Sequence, residues 1–460
     1  MLSILSFALI VFLVIGLRIR GPLVAFAIAW LIAIVPLATK LLIFNYFDPE
    51  NIAPLLILLL YLTCFVLGVI FASTVRSPVH LELSPASQGS LVAGPIEVDM
   101  GFARFAWWIS IVAMIAQIMD YVRLGGAGLE DLPGLRDLYQ ARSSSVFTLA
   151  ANVTSWACLY CFAYAIFYRD KLQRARYLIF LLPTAGYFLT SVLSAGRQAA
   201  MQILLVAILL PILKNRLSAP AARRKSTFLT PESLFLAAAM IFYMGYIAVG
   251  RNDGNLSTDK SAVLSQIFDF QLGPVAFIAS NTLPPKIFQA LVEATVYFSS
   301  STPLFTEFLL IPNLGDFEGY GAMSFPFILR QLEPLTGLSV IGALQYKMEL
   351  MSGIGAMGAG WTNAISGFIL DFGYIGAAVA MFSLGLAGQL AWVRARLSGE
   401  FHDCVIGTLF CIAAIYTPLL FSFSDTSLLL LWLVCMALAI RSRRLIASNP
   451  ALRKTGATDA

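Results

Sequence analysis

Long apolar runs dominate this sequence and restrict the chain to a membrane environment. A helix that spans a bilayer needs about 20 mostly apolar residues, and we predict eleven such helices, at roughly 2–17, 22–43, 53–73, 102–119, 146–168, 177–195, 198–213, 233–250, 365–392, 404–422 and 427–440. Only 12% of the residues are charged, against about 25% in soluble domains. The predicted fold class is an all-α, polytopic transmembrane helical bundle of about 11 to 14 spans, in one integral membrane domain over 1–460.

The distribution of positive charge predicts the orientation of these spans. Most of the 30 Lys and Arg residues fall in alternate connections, such as 169–176 and 214–231. Because basic connections favour the cytoplasm, we expect the N-terminus outside and the C-terminus in the cytoplasm. Three connections then share the outer face: 120–145, 194–197 and the long segment 251–364. Prolines interrupt the apolar patches of this last segment, which predicts amphipathic or re-entrant helices there.

The composition argues against several kinds of site. The net charge of +5 comes from residues at span ends, so it does not indicate a nucleic-acid partner. All six cysteines, including the Cys158–Cys161 pair, lie within apolar runs and are predicted to be packing residues. Both histidines, His80 and His402, fall on the predicted cytoplasmic side. The outer face therefore offers no histidine to a metal or to proton transfer, and we predict neither a metal nor a cofactor.

Arginines on the predicted outer face indicate a phosphate-binding site. Arg197 lies between two apolar runs with almost no loop, where burying a guanidinium costs about 3 kcal/mol and favours an anionic partner. Arg251 ends a span directly after a glycine, and the loop 120–145 carries Arg136, Tyr139 and Arg142. Guanidinium groups bind phosphate oxygens bidentately and stay charged. The alternative is a positive rim that faces lipid headgroups.

Other polar residues of the outer segment are candidates for catalysis or for binding a substrate. Asp371 stands in an apolar run that enters the membrane; we predict either a general base or the N-cap of a helix through Phe372–Gly376. Asp253, Tyr320 and Arg330 are predicted to bind substrate, although Arg330 also fits the wet face of an amphipathic helix. No spacing distinguishes the remaining outer carboxylates, which include Asp259, Asp269, Glu307, Asp316 and Glu318.

Taken together, several of these motifs resemble a known family. They are an SAGR turn at 194–197, GRND at 250–253 ending the next span, the long outer segment, and T-N-x(7)-DFGYIGA followed by SLGLAG between 362 and 388. This arrangement resembles the bacterial O-antigen polymerases, the Wzy-type oligosaccharide repeat-unit polymerases. The resemblance extends from about Leu129 to Gly388.

The resemblance implies a bacterial inner-membrane glycosyltransferase of GT-C-like architecture that works on the periplasmic side. Such enzymes transfer a growing glycan from undecaprenyl diphosphate to the terminal sugar of a new lipid-linked repeat unit. By resemblance, Arg197 and Arg251 would hold the diphosphate, with Arg136 and Arg142 as looser matches. The implied partners are the undecaprenyl-diphosphate-linked oligosaccharide, the lipid bilayer and a chain-length regulator protein. Because arginines can neutralise a diphosphate leaving group, a metal is not required.

Three other functions remain open at this point. An O-antigen ligase performs the same chemistry on a different acceptor, but its family usually shows a periplasmic histidine. A flippase or other transporter tends to have ionisable residues within its spans and short loops. A metal-dependent GT-C transferase would use an acidic pair in its first outer loop, where Asp48 and Glu50 lie.

Overall fold

Helix dominates the structure, which is a computed structural model. It describes residues 1–19, 21–75, 96–123, 145–193, 198–215, 269–284, 319–326 and 363–448, with further positions between 288 and 342. Helix accounts for 83% of the described residues. The all-α class predicted from the sequence is therefore confirmed.

The described α-helices follow the apolar runs in chain order. They are α1 Leu2–Ile19, α2 Pro22–Ala38, α3 Ile52–Val75, α4 Ile96–Arg123, α5 Val146–Thr154, α6 Trp156–Phe167, α7 Arg174–Leu193, α8 Gln198–Asn215, α9 Pro274–Thr282, α10 Ser301–Leu309, α11 Ala364–Ser398, α12 Phe401–Tyr416 and α13 Thr426–Ser448. Two short strands, β1 Leu42–Phe44 and β2 Phe270–Leu272, form an antiparallel ribbon with Ile43 opposite Gln271.

The surface of these helices identifies a multi-pass membrane protein. Among the described helices, six are long and apolar enough to cross a bilayer: Leu2–Ile19, Ile52–Val75, Met100–Arg123, Val146–Phe167, Ala364–Ser398 and Thr426–Arg444. Only 22% of α1 is buried within the protein, and its exposed residues Ile4, Phe7 and Val14 are apolar. A large apolar surface of this kind is unfavourable in water, whereas lipid accepts it.

The predicted spans coincide with helices, apart from 233–250, which lies outside the described residues, but several bounds differ. α4 begins six residues before the predicted span, α11 and α13 end six and eight residues after theirs, and the span predicted over 146–168 is divided into α5 and α6. Two helices end earlier than predicted. α2 ends at Ala38 because Lys40 adopts a left-handed φ of 52° and the Leu41 N–H donates back to the Pro36 carbonyl at 2.8 Å. The chain then enters β1 instead of continuing the predicted helix to residue 43. α12 ends at Tyr416, two residues before Pro418, which cannot continue a helix.

The chain divides into two compact units. Unit one contains Met1–Val75, Gly254–Leu390 and Phe410–Asp425, and unit two contains Arg76–Asp253, Ala391–Leu409 and Thr426–Ala460. The single integral domain expected for 1–460 stays a prediction.

Polar contacts within each unit join residues that the charge pattern assigns to the same side of the membrane. In unit two the Asp403 carboxylate, only 2% exposed, accepts hydrogen bonds from Arg394 at 3.3 Å and Arg443 at 2.6 Å. These three residues were all predicted to be cytoplasmic. In unit one the Asn45 side-chain amide donates to Asp269 at 2.7 Å, and both were predicted to be outside. These contacts are consistent with the predicted alternation of the spans. Which side of the membrane is cytoplasmic and which is periplasmic stays a prediction.

Glycines allow α3 and α11 to approach closely within unit one. A Cβ atom on Gly385 would lie 2.1 Å from the Phe65 carbonyl oxygen, and one on Gly68 would lie 2.1 Å from the Phe382 carbonyl oxygen. Each helix therefore places a glycine against the backbone of the other. Small residues at helix contacts are a common means of association in membranes, because close packing replaces the hydrophobic effect there.

We predict that Gly385→Ala destabilises the protein, because the new methyl group must push against backbone atoms. The expected loss is about 1–3 kcal/mol, measured as a lower thermal unfolding temperature in detergent. Gly101→Ala in α4 is the control, since a Cβ atom at this position meets nothing within 4 Å, and Ala is favoured over Gly in a helix. Equal unfolding temperatures for the two variants would contradict the proposed packing.

Candidate functional site

α11 is interrupted at Gly373, nine residues after its start. Gly373 has φ 68° and ψ −178°, a backbone conformation that is essentially restricted to glycine. The break follows Asp371 and Phe372 directly and lies within a helix that is long and apolar enough to span the membrane. In a membrane-spanning helix, such a break is tolerated only where the protein supplies partners for the backbone groups that it releases.

The turn formed by residues 319–325 supplies those partners. The Gly319 N–H donates to the Leu370 carbonyl at 2.7 Å, and the Tyr320 N–H donates to the Asp371 carbonyl at 3.0 Å. The carbonyls just before the break are therefore paired with a segment about fifty residues earlier in the chain. Two bonds within the turn, Ala322 N–H to Gly319 O and Phe325 N–H to Gly321 O, are each 2.8 Å.

The Asp371 carboxylate fixes the turn from within the protein. Asp371 is 1% exposed. One oxygen accepts the Met323 N–H at 2.9 Å, and the other accepts the Ser324 N–H at 2.7 Å and the Ser324 hydroxyl at 2.6 Å. Such bonds stabilise the ionised form and compensate for its burial. The side chain therefore caps the 319–325 turn, whereas the sequence predicted a base or a cap for the helix through Phe372–Gly376.

An aromatic core supports the turn in unit one. The Phe325 ring lies 5.5 Å from the Phe421 ring, and the Phe368 ring of α11 lies 5.0 Å from the same ring. After the break, the Tyr374 carbonyl accepts a hydrogen bond from the Tyr61 hydroxyl of α3 at 3.1 Å. Both sides of the interruption are thus held by neighbouring elements.

Tyr320 is the predicted substrate-binding residue that the structure places at this turn. Its φ of 47° is left-handed, which is uncommon for a residue with a bulky side chain. Its side chain is 57% exposed, although its N–H is bonded to Asp371. The turn thus combines a buried carboxylate with an exposed ring.

A second polar cluster lies beside the β1–β2 ribbon of unit one. The Tyr46 hydroxyl is buried and has no hydrogen-bond partner among the described residues. Burial raises the pKa of this phenol, as do the negative charges of Asp269 and Glu307. Burial also raises the pKa of the Glu307 carboxyl. The two carboxylates are among those that the sequence could not distinguish, and the negative charges of both act on the same phenol.

The pair Asp48 and Glu50, named for a metal-dependent alternative, forms a local turn. The Asp48 carboxylate accepts the Glu50 N–H at 2.8 Å. Across the described ranges, no three His, Cys, Asp or Glu side chains gather closely enough to hold a metal ion.

All five predicted arginines lie outside the described residues, but the elements that flank two of their connections are described. The residues without a description are Arg136, Tyr139, Arg142, Arg197, Arg251, Asp253 and Arg330. α7 ends at Leu193 and α8 begins at Gln198, which leaves four residues for the predicted SAGR turn. The buried Tyr187 hydroxyl of α7 donates to Gln202 of α8 and ties the two helices together near this turn.

A polar clamp joins the two ends of the connection that carries Arg136 and Arg142. The Asp120 carboxylate at the end of α4 is 3% exposed. It accepts hydrogen bonds from the Ser145 and Thr148 hydroxyls, each at 2.9 Å. Ser145 also caps α5 by accepting the Thr148 N–H at 3.0 Å. The connection therefore begins and ends at a fixed point of unit two.

Comparison with known proteins identifies no relative: no family model, curated protein or solved structure matches the chain. The candidate site is therefore defined by its geometry alone. Sequence reasoning named Asp371 and Tyr320 as separate candidates, which stay predictions, but it did not name Ser324 or the contact between the turn and α11. The one sequence feature that could have indicated the break in α11 is Gly373, a glycine two residues after a carboxylate within an apolar run.

We predict that Gly373→Ala lowers stability by about 1–3 kcal/mol, because alanine is strained at this backbone conformation. Gly367→Ala in the same helix is the matched control. Its new Cβ atom would meet only Met323, at an ordinary 3.8 Å, so it should be neutral or slightly stabilising. Thermal unfolding of both variants in detergent tests this, and an unchanged unfolding temperature for Gly373→Ala would contradict the described break.

Proposed function

We propose that the protein polymerises undecaprenyl-diphosphate-linked oligosaccharide repeat units into O-antigen or a related surface polysaccharide. The reaction takes place on the periplasmic side of the bacterial inner membrane, within a GT-C-like architecture. The observation that carries the proposal is the interrupted membrane helix α11 with its docked turn. A break within a helix that is apolar enough to span the membrane, held by a buried carboxylate, is typical of substrate sites in membrane proteins.

The proposal assigns one role to the arginines of the outer connections and another to this turn. The charge pattern assigns 120–145, 194–197 and 251–364 to one side of the membrane, and the turn belongs to the last of these segments. In the proposal, Arg197 and Arg251 neutralise the diphosphate, and Arg136 and Arg142 add to the positive field. Tyr139, Asp253, Tyr320 and Arg330 contact the oligosaccharide.

The reaction is a displacement at the anomeric carbon of the donor sugar. A hydroxyl oxygen of the acceptor sugar forms the new glycosidic bond, while the bond between the anomeric carbon and the diphosphate oxygen breaks. Undecaprenyl diphosphate leaves with the electron pair, and bound arginines stabilise the charge that develops on it. The remaining requirements are orientation of the acceptor and removal of the hydroxyl proton.

The proton acceptor is better sought among carboxylates other than Asp371. Both Asp371 oxygens already accept hydrogen bonds from Met323 and Ser324. Proton abstraction by this carboxylate would disrupt the turn that it holds. Glu307 is a better candidate, since burial raises the pKa of its carboxyl and a stronger base removes a hydroxyl proton more readily. We assign Asp371 a positioning role in this reaction.

We predict that Arg197→Ala and Arg251→Ala each reproduce the phenotype of a gene deletion, because the diphosphate charge is no longer neutralised. Gel analysis of surface polysaccharide in the native host measures this. A deleted polymerase leaves single repeat units on the core, whereas loss of a ligase or flippase leaves unmodified core. Arg174→Ala, at the predicted cytoplasmic start of α7, is the control and should retain polymer. Full polymer in both outer variants, at normal protein levels, would overturn the arginine assignment.

Asp371→Asn and Ser324→Ala distinguish a positioning carboxylate from a general base. In Asp371→Asn, an amide N–H group faces the N–H donors of the turn, so both stability and polymer formation should fall. Ser324→Ala removes one hydrogen bond from Asp371. This variant should lower stability by about 1–2 kcal/mol and should reduce polymer formation less than Asp371→Asn does. If Asp371 were the base, Ser324→Ala would keep full activity while Asp371→Asn, with an unchanged unfolding temperature, would abolish it.

A further inference from the structure

A buried carboxylate gathers two arginines at one end of unit two. Asp403, in the first turn of α12, is only 2% exposed. Its nearer oxygen lies 3.2 Å from the Nε atom of Arg394 in α11 and 2.6 Å from an Nη atom of Arg443 in α13. Opposite charges at these distances stabilise the ionised carboxylate. Side chains from three helices therefore meet at a single negative charge.

The positive charge of these two arginines exceeds the negative charge that holds them. One carboxylate neutralises one guanidinium group, so one positive charge of the triad stays uncompensated. The side chains of Arg394 and Arg443 are 39% and 33% exposed, so part of each reaches the surface. A guanidinium group has five N–H donors, and the bonds to Asp403 use only the Nε of Arg394 and one Nη of Arg443. Most of the donors are thus left to other acceptors.

Further arginines on the same two helices add to this charge. Arg441 and Arg444 of α13 are exposed, as is Arg396 of α11. Arg441 and Arg444 are three residues apart and share a face of the helix, where like charges repel each other. At this end of α11, α12 and α13 the described residues include five arginines and two carboxylates, Asp403 and Glu400, which leaves a surplus of three positive charges. An external anion would relieve the repulsion.

The ends of the helices do not account for the arginines of α13. Basic side chains are common in the last turn of a helix, where they interact with its free carbonyls. Arg396 lies in the last turn of α11. In contrast, α13 continues to Ser448, and its last turn contains no basic residue. Arg441 and Arg444 therefore precede the free carbonyls of their helix and require a different anionic partner.

The face of α13 that carries Arg444 continues along the helix as an exposed apolar surface. One line along this face contains, at spacings of four, three and four residues, Leu433, Ala437, Ile440 and Arg444. Leu433 and Ile440 are 41% and 42% exposed, and Ala437 is exposed as well. The helix is apolar enough to cross a bilayer up to Arg444. Apolar side chains that lead to an arginine match an acyl chain that leads to a charged headgroup.

Five side chains form the arginine cluster at this end of unit two, namely Arg394, Arg396, Arg441, Arg443 and Arg444. We propose that the arginine cluster binds the phosphate group of an anionic phospholipid, and that the acyl chain of this lipid lies along α13 beside Ile440 and Leu433. Guanidinium groups bind phosphate oxygens bidentately. Basic pockets between helices at the cytoplasmic surface of a membrane bind acidic headgroups, and the cluster lies on the side predicted to be cytoplasmic. The site does not depend on the proposed function.

The surroundings of the arginine cluster favour an anionic lipid over other phosphates. A soluble phosphate would contact the arginines but not the apolar line that leads to Arg444. A zwitterionic headgroup would bring its own cation to a surface that already has a surplus of positive charge. An anionic phospholipid satisfies both the charge and the apolar surface.

Arg441→Gln/Arg444→Gln removes two positive charges from the arginine cluster. Both positions are exposed, so the fold should tolerate the change. Arg18→Gln is the control, since Arg18 is an exposed arginine in the last turn of α1, outside the cluster. The probe is short-chain phosphatidylglycerol, added to purified full-length protein in a neutral detergent. Phosphatidylcholine of the same chain length and glycerol phosphate are the comparison ligands, and binding is measured as the rise in unfolding temperature with ligand concentration.

We expect phosphatidylglycerol to stabilise the wild type at lower concentrations than phosphatidylcholine or glycerol phosphate does. The double variant should need about thirtyfold more phosphatidylglycerol for the same rise, or roughly fivefold for each arginine. Arg18→Gln should stay within about twofold of the wild type. Added salt should weaken the binding of phosphatidylglycerol to the wild type.

Four outcomes would overturn the lipid site. They are equal binding of the two lipids by the wild type, equal binding of phosphatidylglycerol by the wild type and the double variant, an equal loss of binding in Arg18→Gln, and binding of glycerol phosphate as tightly as phosphatidylglycerol. The third outcome would mean that any arginine at a helix end contributes as much as the cluster. The fourth would identify a soluble anion as the ligand.

Discussion

A polypeptide in a bilayer must pair its backbone N–H and C=O groups within the protein, because lipid offers no substitute. Most described helices meet this requirement through the hydrogen bonds between their own backbone groups. α11 does not, since Gly373 interrupts it, and the 319–325 turn supplies the missing donors. The geometry of the candidate site depends on these hydrogen bonds between the interrupted helix and a turn from a distant part of the chain.

The interruption also explains why a carboxylate is tolerated in an apolar helix. Asp371 is nearly inaccessible, yet its two oxygens receive three hydrogen bonds from the turn. An uncompensated charge at this depth would be strongly unfavourable. The carboxylate and the turn therefore stabilise each other.

The sequence predicted those features that arise from local composition and missed those that join distant segments. The helices follow from long apolar runs, which depend on hydropathy alone, and contacts such as Asp403 with Arg443 agree with the predicted alternation. The end of α2 at Ala38 was not predictable, because β1 pairs with β2 more than two hundred residues later. Asp371 was found as an unusual carboxylate in an apolar run. Its partner Ser324 belongs to no recognisable sequence motif. The capping of the 319–325 turn by Asp371 could therefore be recognised only from the structure.

The anchoring of the turn has a consequence for how this protein can diverge. The segment 326–362 leaves from the turn and returns to α11 at Asn363, where the Ala364 N–H is bonded to the Thr417 carbonyl at 2.9 Å. Both of its ends are thus attached to unit one, and longer or shorter versions add little closure entropy. A change in the length of this connection therefore costs the fold little, provided that the turn and the proposed substrate contact of Arg330 are kept.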